Sequence, residues 1–216
     1  MCSQGAGSAG LNATGWEKVI FMRFLQRKNL LAGLATLALL SGSMTLPAEA
    51  AGEVAPSYEV QVEYLHGCTF KKRDIDLYNV HVFKPYRQVH ALTMSYGLTL
   101  ERALGKAWGY EGPQVRDSQA VGVGPAYMLR YTRAMNPRWD VSLEGTGSVL
   151  LYNQDHPGGG RRYGFLWRIG PRFTYHAGKR DSVSLGYLFH HSSNGMKHHN
   201  PGYNGAGVSL GYTHHY

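Results

Sequence analysis

The sequence predicts an all-β protein, an eight-stranded antiparallel transmembrane β-barrel of the outer membrane. Three observations carry this. Beyond residue 50 the chain has no apolar run of helical type, while 15 tyrosines, 28 glycines and a 12% aromatic content over the whole sequence point to strands and turns. Eight stretches alternate apolar with polar residues. The connections between those stretches are in turn short and long, the layout of barrels with tight periplasmic turns and longer external loops. A mildly negative mean hydropathy agrees with a barrel, because its strands alternate between lipid and lumen.

The chain opens with a targeting segment. Met22-Arg23-Phe24-Leu25-Gln26-Arg27-Lys28 is short and basic, Leu30–Leu40 is an apolar run of 11 residues, and Ala48-Glu49-Ala50 places small residues where signal peptidase reads them. That is a secretory signal peptide cleaved after Ala50, and the run is well short of the roughly 20 residues a membrane helix needs. Residues 1–21 fit no such pattern, so translation is expected to start at Met22. The mature part is then a single barrel domain, Ala51–Tyr216, of 166 residues.

Within it the first strand is expected at about 58–66, with Tyr58, Val60, Val62 and Tyr64 opposite Glu59, Gln61 and Glu63. The second, about 75–84, alternates least cleanly, and the third, about 89–101, aligns His90, Leu92, Met94, Tyr96, Leu98 and Leu100. The fourth, about 119–132, carries Val121, Val123, Tyr127, Leu129 and Tyr131; the fifth, about 138–151, sets Trp139, Val141, Leu143 and Val149 against Asp140, Ser142 and Glu144. The sixth, about 162–175, is the clearest, with Tyr163, Phe165, Trp167, Ile169, Phe173 and Tyr175 on one side. The seventh covers about 181–191 and the eighth about 206–216, where Val208, Leu210, Tyr212 and Tyr216 are in phase.

Tight connections are expected at Lys84–Gln88, Arg133–Pro137 and His176–Arg180, and long ones at Gly67–Asp74, Arg102–Ser118, Tyr152–Arg161 and Ser192–Gly205. Strands of about 10–14 residues suit a tilted membrane strand, which needs roughly 9–11, and aromatics near their ends suit interfacial girdles. The terminal Tyr216 falls on the apolar face, as in the last strand of barrels read by the outer-membrane assembly machinery. The rival architecture is a soluble barrel of lipocalin type, which turns its apolar faces inward; parity alone does not say which face is outside.

With four of the 22 Lys/Arg and two of the 14 Asp/Glu in the leader region, the mature part keeps 18 against 12, a net charge of +6. Excess positive charge suits a phosphate-rich partner, and export removes nucleic acid from contention. Cys2 precedes the leader, which leaves Cys68 alone and no intramolecular disulfide.

Candidate chemistry lies at the end of the seventh strand, in Tyr187-Leu188-Phe189-His190-His191-Ser192-Ser193-Asn194-Gly195. Val183, Leu185, Tyr187 and Phe189 share a face, and a period of two puts His191 and then Ser193 on that same face. A serine hydroxyl is a poor nucleophile until a base removes its proton, and an imidazole two residues away on one strand face is placed to do so. With both termini periplasmic, the strand runs outward and the pair sits at the outer-leaflet level, on the lipid side.

The longer string His191-Ser192-Ser193-Asn194-Gly195-Met196-Lys197, followed by Asn200-Pro201-Gly202, resembles the signature of the PagL family, the outer-membrane lipid A 3-O-deacylases. The resemblance is strong over about 187–204 and reaches the remainder through strand count and length. It implies Ser193 as nucleophile and His191 as base. Asn200, with backbone N–H groups around Gly195 and Met196, would stabilise the oxyanion, since negative charge develops on the ester carbonyl oxygen in the transition state. Asn194 follows the nucleophile as in the family and is expected to hold the loop in shape. One departure stands out: where the family carries a glutamate as third member of its triad, counting along the loop brings Asn204. An amide can orient an imidazole by accepting its N–H, as in Cys-His-Asn proteases, but it does not stabilise the imidazolium by charge.

Other residues compete with this site. His190 and Ser192 form an off-register pair that points to the lumen if the strand stays regular. His190, His191, His198, His199, His214 and His215 invite a metal, but adjacent histidines on a strand face opposite ways, and no Asp, Glu or Cys lies between Ser182 and Tyr216, so no metal or other cofactor is expected. Lys71, Lys72 and Arg73 in the first long loop and Arg161 and Arg162 in the third would face lipopolysaccharide phosphates, Arg through a bidentate fork and Lys as a point charge; each is equally well a solvated loop charge. Gly158-Gly159-Gly160 lacks the strand-to-helix context of a phosphate-binding loop and reads as a loop tip.

The resulting expectation is an esterase that releases the 3-position acyl chain of lipid A in the outer leaflet through an acyl-enzyme, with lipopolysaccharide and the outer membrane as its partners and a homodimer left open. The competing readings are a non-enzymatic barrel, structural or adhesive, and a barrel esterase acting on phospholipids.

Overall fold

The computed structural model describes residues 55–67, 73–108, 114–195 and 202–216, all within one compact unit, Pro47–Tyr216. The leader and its expected cleavage site lie outside the described residues, as do Cys68, Lys71, Lys72, Met196, His198, His199 and Asn200.

Eight long strands form a closed antiparallel ring: β1 (Ser57–Gly67), β2 (Arg73–Val89), β3 (Leu92–Trp108), β5 (Ala120–Asn136), β6 (Trp139–His156), β7 (Arg161–His176), β8 (Asp181–Ser193) and β9 (Tyr203–His215). Closure comes from β1, which pairs with β2 on one side and with β9 on the other, so that each of the eight long strands has a partner on both sides. A ninth, three-residue strand, β4 (Val115–Asp117), was not legible in the sequence; it lies on the end of β3, Lys106–Trp108, and prolongs the β5 ladder.

Exposure decides which face is outside. Val183, Leu185, Tyr187 and Phe189 are 42–53% exposed, whereas Ser182, Ser184, Leu188 and His190 are buried. The same holds for Tyr58, Val60, Val62 and Tyr64 against Ser57, Glu59, Gln61 and Glu63. A wall of Tyr, Val, Leu, Phe and Trp turned outward excludes the lipocalin arrangement, whose outer faces are polar, and requires lipid as its solvent.

Several boundaries differ from expectation. Lys84–Gln88 is not a turn: β2 runs through it with a bulge between Pro85 and Arg87, and the turn is His90–Ala91. Proline donates nothing to a ladder, so the strand passes it by a local shift of register rather than by ending. His90, expected on the third strand, sits in the turn at φ 53°. The second strand alternates regularly after all; Ile75, Leu77 and Phe83 face in while Tyr78, Val80 and Val82 face out, and apolar residues on both faces blur its pattern. The long loops are shorter than expected because β3, β6 and β8 continue beyond the apolar band.

The lumen is filled rather than open. In the half away from the chain ends, Leu65, Ile75, Leu77, Leu150, Leu166 and Leu188 pack with Tyr152 and Tyr203 into an apolar core. Midway, Arg168 bonds Glu63 and His81, all fully or nearly fully buried. Next to it Glu144 accepts from Arg130 at 2.5 Å and from Arg172 Nε at 2.8 Å, while Glu59 bonds Arg130 at 2.7 Å. Towards the chain ends a cavity of about 200 Å³ opens among Ser57, Arg130, Asp140 and His176. Removing one partner of a buried pair leaves the other charge unpaired. Glu144→Ala takes from Arg172 its carboxylate partner, while Arg130 keeps Glu59, and is expected to lower barrel stability by about 3–5 kcal/mol, read as a shift of the urea unfolding midpoint in lipid vesicles.

Candidate active site on the outer wall

β8 and β9 meet in register where the sequence places its chemistry. His191 lies opposite Asn204, and Ser192 opposite Tyr203. On the other flank His191 lies opposite Trp167 of β7, and Ser193 opposite Phe165. One cross-strand row therefore reads Trp167, His191, Asn204, all outward; the indole and imidazole centroids are 5.6 Å apart, tilted by 34°.

His191 Nδ1–H donates to Asn204 Oδ1 at 2.5 Å. With Nδ1 carrying the proton, Nε2 holds the lone pair, and that is the nitrogen a base needs. Ser193 continues the outward face of the strand but is only 9% exposed. Gly202 lies against both residues: a Cβ built there would stand 3.3 Å from His191 Cε1 and 3.4 Å from the Ser193 Cβ. Histidine and serine are thus close neighbours on the lipid-facing wall. His190 and Ser192, the off-register pair, face the lumen and are each 2% exposed.

Asn194 turns away from this surface. Its Nδ2 donates to the carbonyls of His156, at 3.0 Å, and Tyr163, at 2.6 Å, across β6 and β7. Gly195 follows at φ +70°, in the left-handed region that glycine tolerates, and a Cβ there would come within 2.9 Å of the Phe165 ring. The chain thus bends sharply just after Ser193. The other expected oxyanion residues, Met196 and Asn200, lie outside the described residues.

The basic residues divide. Arg73 is buried, opens β2 rather than lying in a loop, and donates from Nη1 to the Trp108 carbonyl at 2.7 Å. Arg161 and Arg162 open β7 and are exposed, with Arg161 Nη1 on the Tyr163 hydroxyl at 2.8 Å and its guanidinium over that ring. His214 bonds Asp181 at 2.8 Å, a carboxylate that lies one residue before the acid-free interval from Ser182 to Tyr216. Among the described residues no group of three or more His, Cys, Asp or Glu could hold a metal.

Sequence reasoning missed the layer beneath. Tyr203, fully buried, donates its hydroxyl to His156 Nε2 at 2.8 Å, and His156 Nδ1–H donates to the Ser118 carbonyl at 2.9 Å. Tyr152 donates to Glu101 at 2.9 Å alongside. These partners are 38 to 51 residues apart, beyond the reach of any local period.

A closed eight-stranded ring with an apolar exterior and a filled lumen that is apolar in one half and charged across its middle defines an outer-membrane β-barrel. Its family follows from comparison: residues 77–213 match the family model for lipid A 3-O-deacylase (PagL), and the chain belongs to the PagL family. Among solved structures it is similar to the outer membrane enzyme PagL, at 17% identity and a TM-score of 0.51, over 73% of this chain and 99% of that one. It is similar also to Neisserial surface protein A, at 12% identity and a TM-score of 0.50, over 78% of this chain and all of the other. No curated protein sequence matches the chain. The protein is accordingly placed in the bacterial outer membrane.

Proposed function

We propose that the protein hydrolyses the ester holding the 3-position acyl chain of lipid A, with Ser193 as nucleophile, His191 as base and Asn204 orienting the imidazole. The supporting observation is the 2.5 Å bond from His191 Nδ1–H to Asn204 Oδ1 beside Ser193, on a wall that lipid covers. His191 Nε2 takes the Ser193 proton as Oγ attacks the ester carbonyl, and backbone N–H groups at the bend around Gly195 would face the developing oxyanion. Collapse breaks the ester bond; the sugar oxygen leaves with the proton from His191, and the acyl chain stays on Ser193. Water, deprotonated by the same nitrogen, attacks the acyl-enzyme and releases the fatty acid. Each step uses this chain's own residues and needs no cofactor.

A site on the outer wall suits a substrate that never leaves the membrane, since lipid A diffuses laterally to it while its acyl chains remain in hydrocarbon. Arg161 and Arg162, exposed at the start of β7, are suited to the phosphates. The test is mass spectrometry of lipid A after incubation with the refolded barrel in detergent. Loss of one 3-hydroxyacyl chain is the expected product. Lipid A left intact by a folded barrel would overturn the proposal, and fatty acid released from phosphatidylethanolamine alone would reassign the substrate.

A further inference from the structure

We propose that His156 is a positioning residue that holds the two reacting strands together, gripping by its side chain the residue before Asn204 and by its backbone the residue after Ser193. The inference rests on the esterase reading above. His156 closes β6 and is 1% exposed. Its ring uses both nitrogens: Nδ1–H donates to Ser118 O at 2.9 Å, which leaves Nε2 to accept from the Tyr203 hydroxyl at 2.8 Å. The rings of His156 and Tyr203 meet edge to face, centroids 5.8 Å apart and planes at 81°. Its carbonyl accepts from Asn194 Nδ2 at 3.0 Å.

Tyr203 directly precedes Asn204, and Asn194 directly follows Ser193. A single residue on a third strand thus ties down the chain on either side of the site. The cradle is close-fitting: a Cβ on Gly160 would come within 2.4 Å of Asn194 Oδ1, so that glycine leaves the room Asn194 needs. A histidine that merely filled space would need neither nitrogen, and its contact with the Tyr152 ring at 4.8 Å would suffice. Displacing a reacting group by about 1 Å costs on the order of 100-fold in rate, so a latch of this kind acts on turnover more than on binding.

His156→Phe keeps the ring, its aromatic neighbours and the backbone carbonyl, and removes only the two side-chain hydrogen bonds. Tyr203→Phe removes the second of these from the other side. Each is expected to lower kcat on lipid A by about 10–100-fold with KM within about twofold, and the double variant to be little worse than His156→Phe, because both act on one link. Amide hydrogen exchange in micelles gives a readout that does not depend on lipid A being the substrate. Faster exchange at residues 203–204, with the other strands unchanged, is the expected result. Unchanged exchange and kcat in both variants would make His156 a space-filling ring, and faster exchange over the whole barrel would make it a general stability element; either overturns the proposal. Inert wild-type protein together with the expected local exchange would instead count against the esterase reading and leave the latch standing.

Discussion

Ser193→Ala is expected to remove deacylation of lipid A, with kcat falling by at least about 10⁴-fold, and His191→Ala to fall by a similar factor. On the proposed mechanism the two residues act as a unit, because without the base the hydroxyl keeps its proton, and without the hydroxyl the base has nothing to activate. The double variant should therefore be no slower than either single one, whereas independent contributions would multiply. Ser192→Ala is the test of strand parity. Its hydroxyl faces the lumen and is 2% exposed, so it should keep kcat within about tenfold of wild type. Single-turnover release of fatty acid, followed by mass spectrometry on barrels with native electrophoretic mobility, measures all four. Full activity in Ser193→Ala with loss in Ser192→Ala would move the nucleophile to the lumen face and sink the outer-wall site.

The parity on which that test depends was legible because two solvents write it into the chain. Lipid outside and a packed lumen inside impose different residues at odd and even positions, so Val183 to Ser193 reads as one line from residue types alone. What failed to read were features that answer to only one neighbour. Arg73 looks like a loop charge because nothing local says that its guanidinium reaches the Trp108 carbonyl, 35 residues away. Pro85 looks like a turn because a bulge is set by the partner strand rather than by the strand that contains it. The ladder also outruns the apolar band: β6 continues to His156 although its last outward apolar residue is Leu151, so a pattern tuned to lipid stops early. The ion pairs of Arg168 with Glu63 and of Arg130 with Glu59 cross the lumen between strands that are not neighbours in the ring, which no strand pattern reports. His156 combines these difficulties, sitting past the end of the pattern and partnered by residues on other strands.

Asn204→Asp is expected to raise kcat by about 10–100-fold with KM little changed, because it alters the charge at a position whose geometry is already set. The amide oxygen receives His191 Nδ1–H at 2.5 Å, and aspartate places a carboxylate oxygen at the same spot with the same side-chain shape. As the Ser193 proton moves to Nε2, the ring becomes an imidazolium beside what is now only a neutral dipole. A carboxylate about 4 Å from that charge interacts by roughly 4 kcal/mol at an effective dielectric of about 20. Partial exposure of Asn204 screens part of this, which leaves about 1–3 kcal/mol, and each 1.36 kcal/mol off the barrier is tenfold in rate. A carboxylate also only accepts, so it fixes the tautomer, whereas an amide can turn and offer its NH₂. Asn204→Ala separates orientation from charge: it removes the acceptor without adding charge and should lower kcat by about 10-fold or more. Opposite signs for Asp and Ala, read in the same single-turnover assay, would mean that the amide does the orienting half of a task whose charge half is absent. An Asp variant no faster than wild type, with the barrel intact, would mean that the imidazolium finds its counter-charge elsewhere, and Asn204 would lose its place as third member.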